Sequence, residues 1–328
     1  MALTQNSLAG FLAVYAQKSL NAFLADMPPR DLFTENFDDS IANGGISVTT
    51  RIPTTQYSTL NDLGASGWET AQATASSVTI NLATKGHDHA FNVTDWATIT
   101  PAMLQNLYLP TLAKQTANGV IVTLAQQVTS SYFTSTMTVA TSSNVQLNTA
   151  TGSFAYLNAT LTNNEIPEPG RYAIVMPSVW QGLLPYITQT YVYGSPQIVQ
   201  QNGYGDGNAL GRQGVPVLNF SVYQYPRLYG STKPYGGDYV GSGTGTNDKL
   251  VGFAGHKQGL IVAMRSPLDM NTGLIQSYTA VDPTSKVSLQ VVVAFDQSKP
   301  MWRLGTYVLF GAAAGNSKAI IPIITQST

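Results

Sequence analysis

Ile46-Ser47-Val48-Thr49-Thr50-Arg51-Ile52 and Ser77-Val78-Thr79-Ile80-Asn81-Leu82 are two short runs that alternate apolar and polar residues with the period of a strand. Together they predict a long hairpin over residues 46–84. Roughly 24 residues separate the runs, and a connection that long with little core pattern usually has a function. Gly64 and Gly67 lie within it, with Leu63 and Trp68 near the tip. It reads either as a solvated surface loop or as an arm laid on a neighbouring molecule. Leu63 and Trp68 favour the arm, because an apolar tip needs somewhere to bury. Both are candidate inter-subunit contacts.

The chain before the hairpin has the same character. Over residues 4–25, Leu8, Phe11, Leu12, Tyr15, Leu20, Phe23 and Leu24 recur at three- and four-residue steps, which predicts a helix with one apolar face. Thr4 or Asn6 can cap its start, and Met27-Pro28-Pro29 ends it. Residues 30–45 read as irregular. A helix followed by an irregular stretch describes an arm whose apolar face needs a partner, in this subunit or the next. Leu8, Phe11, Leu12 and Tyr15 are its candidate contacts.

Beyond the hairpin, His87 to Trp96 reads as strand and turn. Thr100-Pro101 opens a short helix, and Pro110 breaks it and starts a longer one to about Phe133. Leu112, Thr116, Val120, Leu124 and Val128 form a stripe on that helix, which Gly119 weakens by about 1 kcal/mol relative to alanine. Next come a helix (Phe154 to Thr162), a buried strand (Arg171 to Met176) and a helix opened by Pro177-Ser178. Strands follow at 215–218, 250–254, 259–265, 277–281, 287–295, 307–310 and 320–324. Residues 202–214 are glycine-rich, and 229–248 are of low complexity. No repeat of 20–50 residues argues for a solenoid or propeller. The fold class is α+β.

Composition narrows the function. Of 328 residues only 10% are charged, the net charge is −1, and 43% are hydrophobic. Ordinary globular chains carry about 25% charged residues. The hydrophobic content argues against disorder, and the missing basic excess argues against a grip on nucleic acid. Ser, Thr, Asn and Gln make up roughly a third of the chain, so its surface is neutral and polar, suited to being covered by other copies. The absence of cysteine removes disulfides, thiol nucleophiles and Cys-based metal sites. No apolar run reaches the ~20 residues of a membrane span, and the start lacks the pattern of a signal peptide. The expectation is a soluble protein made in the cytoplasm, with no membrane partner.

Motifs for chemistry are sparse. His87 and His89 share one side of a strand and could ligate a metal, but no third ligand motif accompanies them, so a polar strand edge is the plainer reading. His256 is the third histidine. Glu165 and Glu168 flank Pro167, a turn composition before it is a glycosidase pair. Gly203-Tyr204-Gly205-Asp206-Gly207 lacks the strand and helix of a phosphate loop. Seventeen tyrosines, several between Tyr186 and Tyr239, suit a sugar- or base-binding surface or a subunit interface equally well. No nucleophile and base are paired. The expectation is no enzyme, no cofactor and no metal.

The order of elements carries a resemblance. It runs from helical arm through long hairpin, strand, long helix, helix–strand–helix and glycine-rich insertion to late long strands. The segments RYAIVMPSVWQGLL (171–184), GRQGVPVLNFSVYQYPRL (211–228), LVGFAGHKQGLIVAMRSP (250–267) and MWRLGTYVLFGAAAGNSKAIIPI (301–323) fall at matching places. The chain resembles the major capsid proteins of tailed bacteriophages, the Hong Kong 97-type fold, over nearly its whole length.

The resemblance implies an N-terminal arm at 1–45 and an extended loop at 46–84 lying on the next subunit. It implies a peripheral domain at 85–200 and 268–300 holding the long spine helix, and an axial domain at 201–267 and 301–328. It further implies self-assembly into pentamers and hexamers of an icosahedral head that encloses double-stranded DNA without reading its sequence. The head would form in the host cytoplasm. A portal protein is an implied partner and a decoration protein an optional one. The chain enters the arm helix almost directly, so a separate scaffolding protein is expected. Relatives that crosslink use a lysine on the extended loop. Residues 54–77 contain none, and Lys85 lies at the base of the hairpin, so no covalent crosslink is expected. An encapsulin-type compartment shell is the alternative on the same fold. A β-rich glycan-binding module is the alternative from another class.

Overall fold

A computed structural model of the chain describes residues 5–27, 32–41, 47–53, 75–129, 131–139, 152–183, 215–226, 228, 237–238, 249–272 and 274–325. Helix α1 (Gln5–Asp26) matches the predicted arm helix. It does not hang free. From Leu12 onward its apolar side chains enter the main core, where Ala16, Leu20 and Phe23 are wholly buried. Strand β1 (Thr34–Ile41) follows, where an irregular stretch was expected. Its sequence, TENFDDSI, has no apolar alternation. It is a strand because it pairs in parallel with β11 (Leu260–Ser266), Thr34 opposite Ile261.

The predicted hairpin is present as β2 (Ser47–Pro53) and β3 (Ala75–Asn81), antiparallel with Ser47 opposite Asn81. Strand β4 (Ala83–Asn92) runs on into α2 (Val93–Thr98), capped by the Asn92 side chain, which accepts from Asp95 N at 2.7 Å. Trp96 therefore sits on a helix. The expected break at Pro110 is absent. The chain is helical from α3 (Pro101–Met103) through a π-turn (Leu104–Tyr108) into α4 (Leu109–Gln126). In the π-turn, Leu109 N–H reaches back to the Leu104 carbonyl. That wider turn makes room for Pro110, whose ring would clash with the normal i−4 carbonyl. The helix ends at Gln126, short of Phe133; Leu112, Thr116, Val120 and Leu124 of the predicted stripe are buried on it, and Val128 is buried just past its end.

Two sheets complete the fold. The first has the order β1-β11-β14-β13-β12, with β12 (Ile275–Val281), β13 (Ser288–Asp296) and β14 (Met301–Ala314), and β4 also pairs with β14. Residues 301–307 of β14 pair with β13, residues 309–314 pair with β11, and residues 301–310 pair with β4. A strand has two sides, so β13 and β11 share one side of β14 and β4 forms an edge along the other. Helix α4 packs on β4 and β14, and α1 packs beside α4 and over β12 and β13. The second sheet has the order β5-β15-β10-β6-β8-β7. It comprises β5 (Met137–Val139), β6 (Arg171–Val175), β7 (Val215–Val217), β8 (Phe220–Gln224), β10 (Lys249–His256) and β15 (Ile320–Thr325), with the two-residue β9 (Gly237–Asp238) on β10. Helix α5 (Phe154–Asn163) packs by β15, and α6 (177–183) follows β6. One hydrophobic core runs through both sheets.

The expected domain boundaries do not follow these sheets. Residues 137–139 and 171–175, expected in the peripheral domain, are strands of the second sheet. Residues 260–266 and 301–314, expected in the axial domain, are strands of the first. One of the chain's crossings between the sheets is the short turn of 3-10 helix, Lys257–Gly259, between β10 and β11. Gly259 is needed there, because a Cβ would lie 2.2 Å from Cγ1 of Ile320.

Candidate functional site

The hairpin is the first feature that looks outward. Val48, Ile80 and Leu82 turn inward and, with Ile261, Ala263 and Leu309, form a small core separate from the main one. Thr49, Ser77, Thr79 and Asn81 face out, and the Thr49 and Thr79 hydroxyls lie 3.2 Å apart across the ribbon. The alternation in the sequence is therefore real amphipathicity. The ribbon sits tightly on the end of β14, where a Cβ on Gly311 would come within 2.5 Å of the Asn81 carbonyl oxygen.

Edge strand β4 is the second. Its residues 83–88 are all exposed. Lys85 and His87 face α4 across a shallow cleft of about 130 Å³, with Val120, Val308 and Phe310 among its lining residues. The Lys85 ammonium donates to the Thr123 hydroxyl at 3.5 Å. His89 packs against the Phe91 and Tyr108 rings. On the same strand, Asp88 accepts from Arg303 at 2.9 Å, and Arg303 also pairs with Asp296 at 3.3 Å. Ser298 and Arg303 hold the Asp296 carboxyl below the ordinary carboxylate range. Among the described residues no three His, Asp or Glu converge as a metal site would require, and His87 and His89 belong to a polar strand edge.

The predicted contact residues part company. Leu12 and Tyr15 are 3% and 4% exposed within this one chain, so their apolar surface is already covered inside the subunit and little remains for a neighbour. The helix face found its partner at home because α4 and β12–β13 lie beneath it. The side chains of Leu8 and Phe11, and all of Leu63 and Trp68, lie outside the described residues. The Gly203–Gly207 segment does so too. Tyr223 and Tyr225, from the tyrosine-rich stretch, are buried. Glu165 and Glu168 are exposed on the loop after α5, and Glu165 adopts a positive φ of 58°, as a turn residue does. The sequence reading missed four exposed apolar residues, Leu268, Met270, Leu274 and Tyr278. The only local signal is that LDMNTGL fits neither a strand nor a helix period.

His256 is a buried structural group, 3% exposed, with no partner for Nδ1. Burial pushes its pKa below the ordinary 6.5, nearby Lys257 and Arg171 push the same way, and a hydrogen bond with the Pro169 backbone opposes them. Folded His256 is therefore neutral at pH 7. Its contribution to stability is complete above 6.5, and it is lost as pH falls from 6.5 toward the folded value, because only the unfolded chain takes up the proton there. The melting temperature is expected to fall between pH 7.5 and pH 5, and His256→Gln is expected to lose less over that range. Parallel melting profiles for parent and variant would refute this role.

No family model and no curated protein sequence matches the chain. Solved structures do. The capsid of Ralstonia phage GP4 aligns over 90% of this chain and 87% of its own, at 12% identity and a TM-score of 0.51. The mature capsid of bacteriophage PhiM1 aligns over 91% and 87%, at 11% identity and a TM-score of 0.48. The capsid of cyanophage P-SCSP1u aligns over 93% and 90%, at 12% identity and a TM-score of 0.47. The GP4 likeness places the chain in the fold of a tailed-phage major capsid protein, as the order of its elements implied.

Proposed function

We propose that the chain is a major capsid protein that self-assembles into pentamers and hexamers of an icosahedral phage head around double-stranded DNA. The observation that carries this is a capsid fold shared over nine-tenths of the chain. The near-neutral composition supports it, since a wall of such subunits does not bind tightly to the DNA it encloses. The role is structural rather than catalytic. The first sheet with α1 and α4 corresponds to the peripheral domain, the second sheet with α5 to the axial domain, and β2–β3 to the base of the extended loop. A portal, a scaffolding protein and a decoration protein belong to the same proposal, with assembly in the host cytoplasm.

Electron microscopy of the purified chain is the test. Closed shells of uniform diameter are expected. A stable monomer across salt, pH and crowding conditions overturns the reading.

A further inference from the structure

The cleft between edge strand β4 and helix α4 gathers polar groups to which a shell subunit gives no task. Strand alternation puts Lys85 and His87 on the face of β4 that looks at α4. It puts Asp88 on the opposite face, where Arg303 takes it up at 2.9 Å. Thr116, Gly119 and Thr123 line the helix side at three- and four-residue steps, and Val120, Val308 and Phe310 form the apolar part of the wall. Among the described residues no aspartate or glutamate lines the cleft. Two nitrogen-bearing side chains therefore share it with no carboxylate to answer them.

The hydrogen bonds leave donors over. The Thr123 hydroxyl gives its proton to the Gly119 carbonyl at 2.9 Å, so it turns a lone pair toward Lys85, whose ammonium donates to it at 3.5 Å. That long contact engages one of three ammonium protons. The Thr116 hydroxyl is taken up in a buried pair with the Thr306 hydroxyl at 2.8 Å. Among the described residues His87 has no hydrogen-bonding partner, and an imidazole carries at least one N–H donor in every protonation state it adopts here. Donors beside an apolar wall attract an anion more strongly than the same donors in open water.

Gly119 keeps room beside the imidazole. Glycine inside a helix costs stability relative to alanine, and Gly119 is not among the glycines with positive φ. A Cβ there would lie 3.5 Å from His87 Nε2, an ordinary contact distance, with no closer clash. Alanine would therefore fit the helix and take up the space in front of the ring. The backbone does not call for glycine at 119, whereas an open cleft does.

We propose that this cleft binds a phosphate group, held by the Lys85 ammonium and the His87 imidazole with Val120 and Phe310 behind it. A volume of about 130 Å³ accommodates a tetrahedral oxyanion and falls below the roughly 300–1,000 Å³ of a drug-sized ligand. A metal cation would meet the ammonium and a single imidazole, which is no ligand set. The same donors serve inorganic phosphate and the phosphodiester of a nucleic acid. The site is complete within one copy of the chain, so it holds whether or not copies assemble.

Calorimetric titration of the full-length chain with inorganic phosphate, at an ionic strength held constant with chloride, tests the site. One saturable site is expected, with a Kd of about 1 mM. Lys85→Gln is expected to weaken binding roughly tenfold at an unchanged melting temperature, since it removes the charged donor. Gly119→Ala is expected to melt higher than the parent and yet to bind phosphate roughly fivefold more weakly. A lysine and a glycine with purely structural roles would not part stability from binding in this way. A short oligothymidylate added to the phosphate-loaded chain separates the two sources. Displacement of phosphate supports the site with a nucleic-acid backbone as its ligand, and no displacement supports it with free phosphate. Phosphate that binds without saturation, or a Lys85→Gln chain that binds it as tightly as the parent, overturns the proposal and leaves the shell reading untouched.

Discussion

Arg171→Leu is expected to destabilise the subunit by about 3–5 kcal/mol, among the largest effects of any single substitution. Arg171 is 2% exposed, and its guanidinium is satisfied mainly by neutral acceptors. Nε donates to the Pro167 carbonyl at 3.1 Å. Nη1 donates to the Asn158 carbonyl at 3.2 Å, to the Asn158 side chain, and to the Thr162 hydroxyl at 3.1 Å. Nη2 donates to the Ile166 carbonyl. One side chain thereby ties the C-terminal turn of α5 to the loop 164–170 and to the first residue of β6, inside the second sheet. Burial lowers its proton affinity, and Glu168 partly offsets this. Leucine fills much of the volume but leaves several carbonyls without donors, and each such orphan costs about 1–3 kcal/mol. Arg171→Lys is expected to recover only part of the loss, because one ammonium cannot span the forked set of acceptors. Denaturant midpoints of the unassembled subunit measure both. A leucine variant that unfolds at the parent's midpoint refutes this account.

Gly311→Val is expected to act on assembly as strongly as Arg171→Leu acts on the subunit. The added Cβ would sit 2.5 Å from the Asn81 carbonyl oxygen and 2.7 Å from Cγ2 of Ile80. One is backbone and the other belongs to the small core under the hairpin, so neither yields cheaply. Overpacking of this kind costs about 1–3 kcal/mol, and the two-stranded ribbon is the part able to lift away. The expectation is a folded subunit with β2–β3 displaced, shell yield reduced at least tenfold, and faster tryptic cleavage at Arg51, which pairs with Ser77 in the parent. Gly311→Ala meets the same atoms and is expected to behave as a milder version. Normal shells together with an unchanged cleavage rate at Arg51 would show that the seat of the hairpin does not matter.

The contrast between legible and illegible elements has a physical pattern. Helix α1, the stripe of α4 and the β2–β3 ribbon were readable because each carries its burial as a local period, and strand β6 because it is an unbroken run of buried residues. Strand β1 was not, since TENFDDSI is polar and becomes a strand only through β11, more than two hundred residues away in the chain. The first half of β14, MWRLGT, was missed because it pairs with β13 and β4 on its two sides, and Gly305 interrupts its alternation. Pro110 read as a break because a proline rule applied to one residue does not foresee a π-turn that absorbs it. Among the candidate contacts, Leu12 and Tyr15 were identified correctly as an apolar face, but the owner of the opposing surface was not visible.

The sequence alone determined that no thiol or disulfide chemistry is present, since it holds no cysteine, and the order of amphipathic elements, because composition and periodicity are local sums. Those were enough to point to a capsid-type fold. The tertiary structure decided how the segments divide between the two sheets, that α1 is buried at home, and which apolar residues are left in solvent at 93–107 and 268–278. Exposure at any one residue depends on neighbours brought from distant parts of the chain. Leu268 and Leu274 stand in solvent and Leu289 lies in the core, although the three have identical side chains.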